Sequence, residues 1–371
     1  RQMCIRDRIN ILSQGRFHML DLARELDHTG FDIKFYSFIP TSRCIKFGLQ
    51  KKCIVSLFGI IAPFLILRRI FPKLSWIHIK VQDFIMGIFM RKCDICISLT
   101  GYVYAPRIAQ KKGAIIIMER GSKHILEQKK ILEKNPHKKN EAIPNRNIKC
   151  NLKAYQFANF ISVASQHVKE SFLLHQYPEN RIFVNPYGVD LSMFKPLPNI
   201  PKKYDVIMVG GWGYEKGCDL IVEAIRKTNY SFIHVGSIKD VDFPQEKNFT
   251  HIDPVDQSKL IEYYNQAKVF ILPSRQDGFG MVLSQALACN LPIIGSNNCG
   301  APDLKKMVEL PEYITIIKDY TADAIVTAIH TAIKNYEQLG ERIYAGNAIE
   351  NLTWEAYGKR YANFLHKIIK Q

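Results

Sequence analysis

Short apolar blocks alternate with longer amphipathic segments along most of this 371-residue chain. The first series opens with a strand pattern over Ile9 to Ser13, a polar loop over Gln14 to Phe17, a helix pattern over His18 to Asp27 that ends near Gly30, and a strand pattern over Phe31 to Phe38. Further strand patterns cover Ile95 to Leu99 and Ala114 to Met118, separated by a helical segment closing at Gly113, and then Phe160 to Val163. A second series runs strand Asp205 to Val209, helix Asp219 to Arg226, strand Phe232 to Val235 and helix Ser258 to Gln266. It continues with strand Val269 to Leu272, helix Met281 to Cys289, strands Pro292 to Gly295 and Ile314 to Ile317, and helix Ala322 to Tyr336. Such alternation predicts an α/β protein built from two Rossmann-like, doubly wound parallel-sheet domains.

Length agrees with two domains, because single cores stop growing at about 250 to 300 residues. The Pro-rich stretch that includes Asn185-Pro186-Tyr187-Gly188-Val189-Asp190 reads as the crossing. The predicted division is 1–187 for the N-terminal domain and 188–350 for the C-terminal domain. The amphipathic tail 351–371 then packs back on the first. Arg1 to Arg8 read as a translated scar and are set aside. The polar, Lys-rich stretch Glu127 to Lys149 reads as a mobile loop or short helix.

Charge changes the picture of the first half. Residues 1–200 carry 32 Lys and Arg against 14 Asp and Glu, whereas the rest is close to neutral. A basic surface meets phosphate on nucleic acid or on an anionic membrane, or is simply solvated. The apolar stretch Ile54 to Leu67 is too short to span a bilayer, which takes about 20 residues. Followed by Arg68, Arg69 and Lys73, it fits either a membrane interface or a buried core helix. Of nine cysteines only Cys93 and Cys96 form a C-x-x-C, without the partners a zinc site needs, so buried free thiols are expected. No secretory signal pattern precedes the first strand, so the sequons at Asn229, Asn248 and Asn351 read as chance matches. Asp240 and Asp242 form a lone carboxylate pair, read as an exposed loop and not as a metal site.

Ligands of open α/β sheets bind beyond the carboxyl ends of strands, so loops following strands are where chemistry is sought. Two such loops stand out. Gly210-Gly211-Trp212-Gly213-Tyr214-Glu215-Lys216-Gly217 enters a helix, offering close backbone approach, unpaired N–H groups and one ammonium for a diphosphate. Pro273-Ser274-Arg275-Gln276-Asp277-Gly278-Phe279-Gly280 enters another, with Asp277 at its tip and Gln285 about two turns farther on.

These residues resemble the retaining family 4 glycosyltransferases of the GT-B fold, in which two such domains face a central cleft. The family signature, an acidic residue, Gly-Phe-Gly and a second carboxylate eight positions after the first, appears as Asp277-Gly278-Phe279-Gly280-Met281-Val282 and Gln285. Asn185 to Asp190, Glu215-Lys216-Gly217 and Gly300-Ala301-Pro302-Asp303 extend the likeness over most of residues 155–310. The resemblance implies that Lys216 contacts the donor diphosphate, Asp277 holds hydroxyls of the transferred sugar and Gln285 faces the nucleotide ribose. Amides of Phe279, Gly280, Met281 and Val282 complete the cradle beside Gly278 and Gly210. In the first domain, Gly15 and Arg16 face the donor, Arg16 neutralising diphosphate, while Glu119 and Arg120 position the acceptor hydroxyl or the leaving oxygen.

Three departures stand out. Gly211 occupies the place of a second phosphate-binding arginine, so that charge has to come from Arg275 or from the first domain. Gln285 replaces a carboxylate, and Asp277 replaces the commoner glutamate.

The expected protein is a hexosyltransferase using a nucleotide-sugar donor, UDP- or GDP-linked, on a glycan or lipid-linked acceptor of the cell-surface polysaccharide or lipopolysaccharide type. Retention, no metal and no further cofactor are implied, with a cytoplasmic location, peripheral on the inner face of the membrane. Competing readings are a nucleotide-sugar epimerase of similar fold, against which the Asp277 to Gln285 spacing argues, and a non-catalytic basic nucleic-acid or lipid-binding protein. Nucleic acid is not an expected partner. No G-x-G-x-x-G follows the first strand, which disfavours a dinucleotide oxidoreductase.

Overall fold

A computed structural model describes residues 7–71, 77–137, 143–340 and 342–370. The N-terminal domain runs β1 (Arg8–Leu12), α1 (Phe17–His28), β2 (Asp32–Ser37), α2 (Thr41–Lys46), β3 (Ile54–Ser56), α3 (Phe58–Ile70) and α4 (His78–Phe89). It continues with β4 (Ile95–Leu99), α5 (Tyr104–Lys111), β5 (Ile115–Arg120), α6 (Ile125–Leu132), α7 (Asn145–Phe157), β6 (Phe160–Val163), α8 (Gln166–Leu173) and β7 (Ile182–Val184). Its parallel sheet has the order β3-β2-β1-β4-β5-β6-β7. Both faces are covered, as doubly wound sheets require: Ile9, Ile11 and Ile95 pack into one core with Leu22 and Leu26 of α1, while Leu12 and Cys96 point into the other.

The C-terminal domain repeats the plan with β8 (Tyr204–Val209), α9 (Cys218–Arg226), β9 (Phe232–Val235), β10 (Phe249–Ile252), α10 (Gln257–Asn265), β11 (Ala267–Leu272) and α11 (Met281–Ala288). There follow β12 (Ile293–Ser296), α12 (Ala301–Lys305), β13 (Ile314–Ile317), α13 (Ala322–Leu339) and α14 (Trp354–Ile369). Its six parallel strands take the order β10-β9-β8-β11-β12-β13. In each sheet the strand order reverses between the first and fourth strands, β1 and β4 or β8 and β11, and the crevice at that reversal is where such folds hold ligands.

Several sequence expectations change. Arg8 belongs to β1, where its guanidinium pairs with Asp94 at 2.9 Å. The apolar stretch from Ile54 divides: Ile54 pairs with Phe35 as the edge strand β3, and the rest becomes α3, which buries only Ile61. That helix is therefore not a core helix. The Lys-rich stretch holds two helices, because Ile125, Leu132, Ile148 and Ala154 supply buried faces to α6 and α7. Lys73 and residues 138–142 lie outside the described residues. Strand β10 and helix α12 complete the second domain, although neither pattern was distinct in sequence.

The tail α14 crosses back onto α1. Gly358 sits against the Glu25 side chain where any Cβ would clash, and Phe364 stacks on Phe183 at 4.1 Å between ring centroids. The interdomain crossing is tied to the same helix, since Arg360 donates to Asn185 Oδ1 at 2.7 Å and to the Pro186 carbonyl at 2.9 Å.

Candidate active site in the interdomain cleft

The two loops singled out in the second domain follow β8 and β11, the strands flanking the reversal. Gly210 has φ +125°, open only to glycine, and its carbonyl accepts a hydrogen bond from His234 Nε2 at 2.8 Å. Burial pushes the His234 pKa down to about 4, which leaves the ring neutral. After a short 3₁₀ turn over Tyr214–Lys216, Gly217 in the left-handed region starts α9. Gly280, φ +79°, turns the second loop into α11 in the same way, presenting the amides of that helix's first turn.

Between these turns Lys216 Nζ meets Asp277 Oδ2 at 2.5 Å. Burial disfavours the Lys216 charge, but Asp277 and Glu215 outweigh it and raise its pKa. Arg275 faces away, in a fork on Asp219 at 2.6 and 2.7 Å and over the Tyr214 ring.

A cavity of about 410 Å³ opens here, and the first domain closes its far side. Lys216, Asp277 and Gly210 line it together with Gly280, Met281 and Val282 of the second loop and α11. Gln285 and Arg16 complete the expected part of the wall. Gln285 accepts from Tyr264 Oη at 2.9 Å through Oε1, which fixes the amide. Gln257, Leu260, Asp21 and Trp354 also line the cavity and carried no distinguishing signal in sequence.

The structure does not bring the remaining expected residues into this wall. Gly15 lies beside it, behind Phe17. Phe279 is buried against Tyr187, and Gly278 abuts the Gly121 carbonyl, so both serve the contact between domains. Glu119 is 2% exposed and accepts from Tyr361 Oη at 2.7 Å, with His18 Nε2 at 3.1 Å from its other oxygen. Burial pushes its pKa up, but these hydrogen bonds prevail and hold it below the usual carboxylate range. It joins the first sheet to α14. Arg120 donates to the Lys123 carbonyl at 3.0 and 2.9 Å, to Gln128 at 2.7 Å and to Asn151 at 3.1 Å.

The domains meet closely around the site. Ser165 donates to the Gly278 carbonyl, and Lys123 Nζ to Asn298 at 2.6 Å. The Gln166 amide reaches Asp303 at 3.1 Å, so the Gly300 to Asp303 segment, read in sequence as a loop, is the first turn of α12 and takes part in closure.

Arg275 is taken up by Asp219, and Arg16 brings the first domain's charge to the cavity wall beside Gly210. Beside Gly211 itself stands Lys239, from the loop after β9: its Nζ is 2.8 Å from where a Cβ on residue 211 would stand. Lys239 and Lys216 line one small cavity with Gly211 and the carboxylates Glu215 and Asp240. Only the fold juxtaposes positions 211 and 239. Asp240 is itself occupied, accepting from the Tyr214 amide at 2.9 Å and from Asn135 at 2.7 Å.

Comparison with known proteins agrees with this architecture. Residues 192–348 match the family model of the glycosyl transferases group 1. A probable sucrose-phosphate synthase of Thermosipho melanesiensis is 26% identical over 58% of this chain and 56% of its own length. A GDP-mannose-dependent alpha-(1-6)-phosphatidylinositol monomannoside mannosyltransferase of Mycolicibacterium smegmatis is 23% identical over 56% of this chain and 62% of its own. The chain thus spans about half the length of these relatives. Among solved structures, Anabaena HepE in complex with UDP-glucose superposes with a TM-score of 0.67 at 13% identity, over 97% of this chain and 100% of that one. The fold is therefore GT-B. The C-terminal domain belongs to the glycosyl transferases group 1, in keeping with the family 4 resemblance of its loops.

Proposed function

We propose that the chain is a glycosyltransferase of hexosyltransferase type, moving a sugar from a UDP- or GDP-linked donor to a glycan or lipid-linked acceptor of the cell-surface polysaccharide or lipopolysaccharide type. One observation carries this reading: an ammonium, a carboxylate and an open helix N-terminus converge on one cavity from the two loops at the sheet's reversal point. A sugar nucleotide needs that set, cationic and amide donors for the diphosphate and an acceptor for sugar hydroxyls. UDP-glucose in HepE and GDP-mannose in the name of the mycobacterial relative support the donor class.

In the transfer, the acceptor hydroxyl oxygen bonds to the anomeric carbon as the bond from that carbon to the diphosphate oxygen breaks. The hydroxyl proton leaves with the nucleoside diphosphate, and configuration is retained. Lys216, the amides of α11 and Lys239 stabilise charge building on the leaving diphosphate, without a metal. Asp277 orients the sugar once the diphosphate draws Lys216 away from it. Gln285 offers its free amide N–H to the ribose, beside Leu260 and Val282. The basic first domain and the exposed apolar residues of α3 support a peripheral location on the inner membrane face.

Thermal unfolding of the purified chain with a panel of UDP-, GDP- and ADP-sugars tests the reading. A specific rise in Tm with one donor is expected, together with transfer or slow hydrolysis of its sugar. No stabilisation by any sugar nucleotide would overturn it.

A further inference from the structure

A second cavity, of about 730 Å³, lies in the first domain between α4, α5 and α7, beside Gly101 just after β4. Its wall carries Lys80, Arg107, Lys111, Arg146 and Lys153. Among the described residues its wall has one carboxylate, Asp83, which is buried and occupied, accepting the amides of Val103, Tyr104 and Ala105 at 2.8, 2.7 and 2.9 Å at the start of α5. Arg107, Lys111 and Lys153 outnumber Asp83, so this wall is positive among the described residues, whereas Lys80 and Arg146 have partners of their own. Arg107 Nε is buried with no hydrogen-bond acceptor among the described residues, while its guanidinium rests over the Phe157 ring. An unmet donor of this kind asks for an anion.

The rim is apolar. Phe84 and Tyr104 pack together and stay 52% and 44% exposed. The surface continues over Ile88 on α4, and across the Phe64–His78 stack onto Ile66 and Ile70 of α3, each more than half exposed. Branched aliphatic side chains suit hydrocarbon, not the stacked bases of a nucleic acid.

The groove also communicates with the cleft. Asn151 on its wall accepts from Arg120, Arg120 donates to Gln128, and Gln128 reaches Gln276, the neighbour of Asp277, at 3.4 Å. Resting on the glycosyl-transfer reading above, we propose that this groove binds the phosphate of a lipid-borne acceptor, the apolar surface of α3 and α4 taking the adjoining hydrocarbon. Arg120 then serves as a positioning residue between acceptor phosphate and donor site.

Titration of the full chain with dihexanoyl phosphatidic acid, dihexanoyl phosphatidylcholine and inorganic phosphate, all below micelle formation, tests this. Phosphatidic acid is expected to bind saturably and at least tenfold more tightly than the other two. The Arg107→Gln/Lys111→Gln double variant and Phe84→Asp should each weaken it at least tenfold while nucleotide-sugar binding persists. Equal affinity for inorganic phosphate, unchanged affinity in both variants, or displacement by an oligoribonucleotide would each overturn the proposal. Sugar transfer to a soluble, phosphate-free acceptor without lipid-phosphate binding would sink this site alone. Lipid-phosphate binding without donor binding would instead sink the glycosyl-transfer reading.

Discussion

Lys216 and Asp277 form an ion pair between the two loops, and both line the cavity. Replacing either leaves the other unpaired and removes an aimed contact. Lys216→Ala and Asp277→Ala are each expected to lower turnover by at least about tenfold, measured as kcat with saturating donor. Lys239 answers the missing charge at Gly211. Lys239→Ala is expected to raise the donor KM by about tenfold, and adding Gly211→Arg to that variant should restore most of the loss, because the new side chain enters the space that Lys239 vacates. Equal KM values for wild type and Lys239→Ala would remove Lys239 from the site.

At the scale of elements, the glycine loops do two separate jobs. Gly210 and Gly280 turn strands into the cavity, whereas Gly278 lets the second loop meet the Gly121 carbonyl across the domain boundary. An added methyl at 278 collides with backbone, which cannot swing aside as a side chain would. Gly278→Ala should therefore keep nucleotide binding by the isolated second-domain surface but lose at least about tenfold in kcat, as closure fails. Small-angle scattering should show a more open particle. A compact, fully active variant would contradict the role given to this contact.

For the whole molecule, stability should be acid-labile. Burial holds His124 near a pKa of about 3 and His167 and His234 near about 4, below the ordinary histidine value. The unfolded chain then takes up protons first as pH falls below about 6.5, so stability is full above that pH and declines from there toward pH 4. Each histidine should cost about 2 kcal/mol by pH 5. Urea unfolding at pH 7.5 and pH 5 measures this, and an equal midpoint at both would refute it.

The alternation of apolar blocks determined two parallel sheets and, through loop chemistry, the cavity wall from Gly210 to Gln285, because period and turn residues are local properties. The Lys-rich stretch was open between mobile loop and short helix, and the buried faces of α6 and α7 decide for helix. Glu119, expected from the resemblance to position the acceptor hydroxyl or the leaving oxygen, is held instead by the returning α14, whose Tyr361 hydroxyl lies 2.7 Å from it. Only the fold, likewise, places Lys239 over Gly211 and Arg107 in its groove. Sequence specifies what each loop offers, but which charges share a space depends on long-range packing that no local pattern encodes.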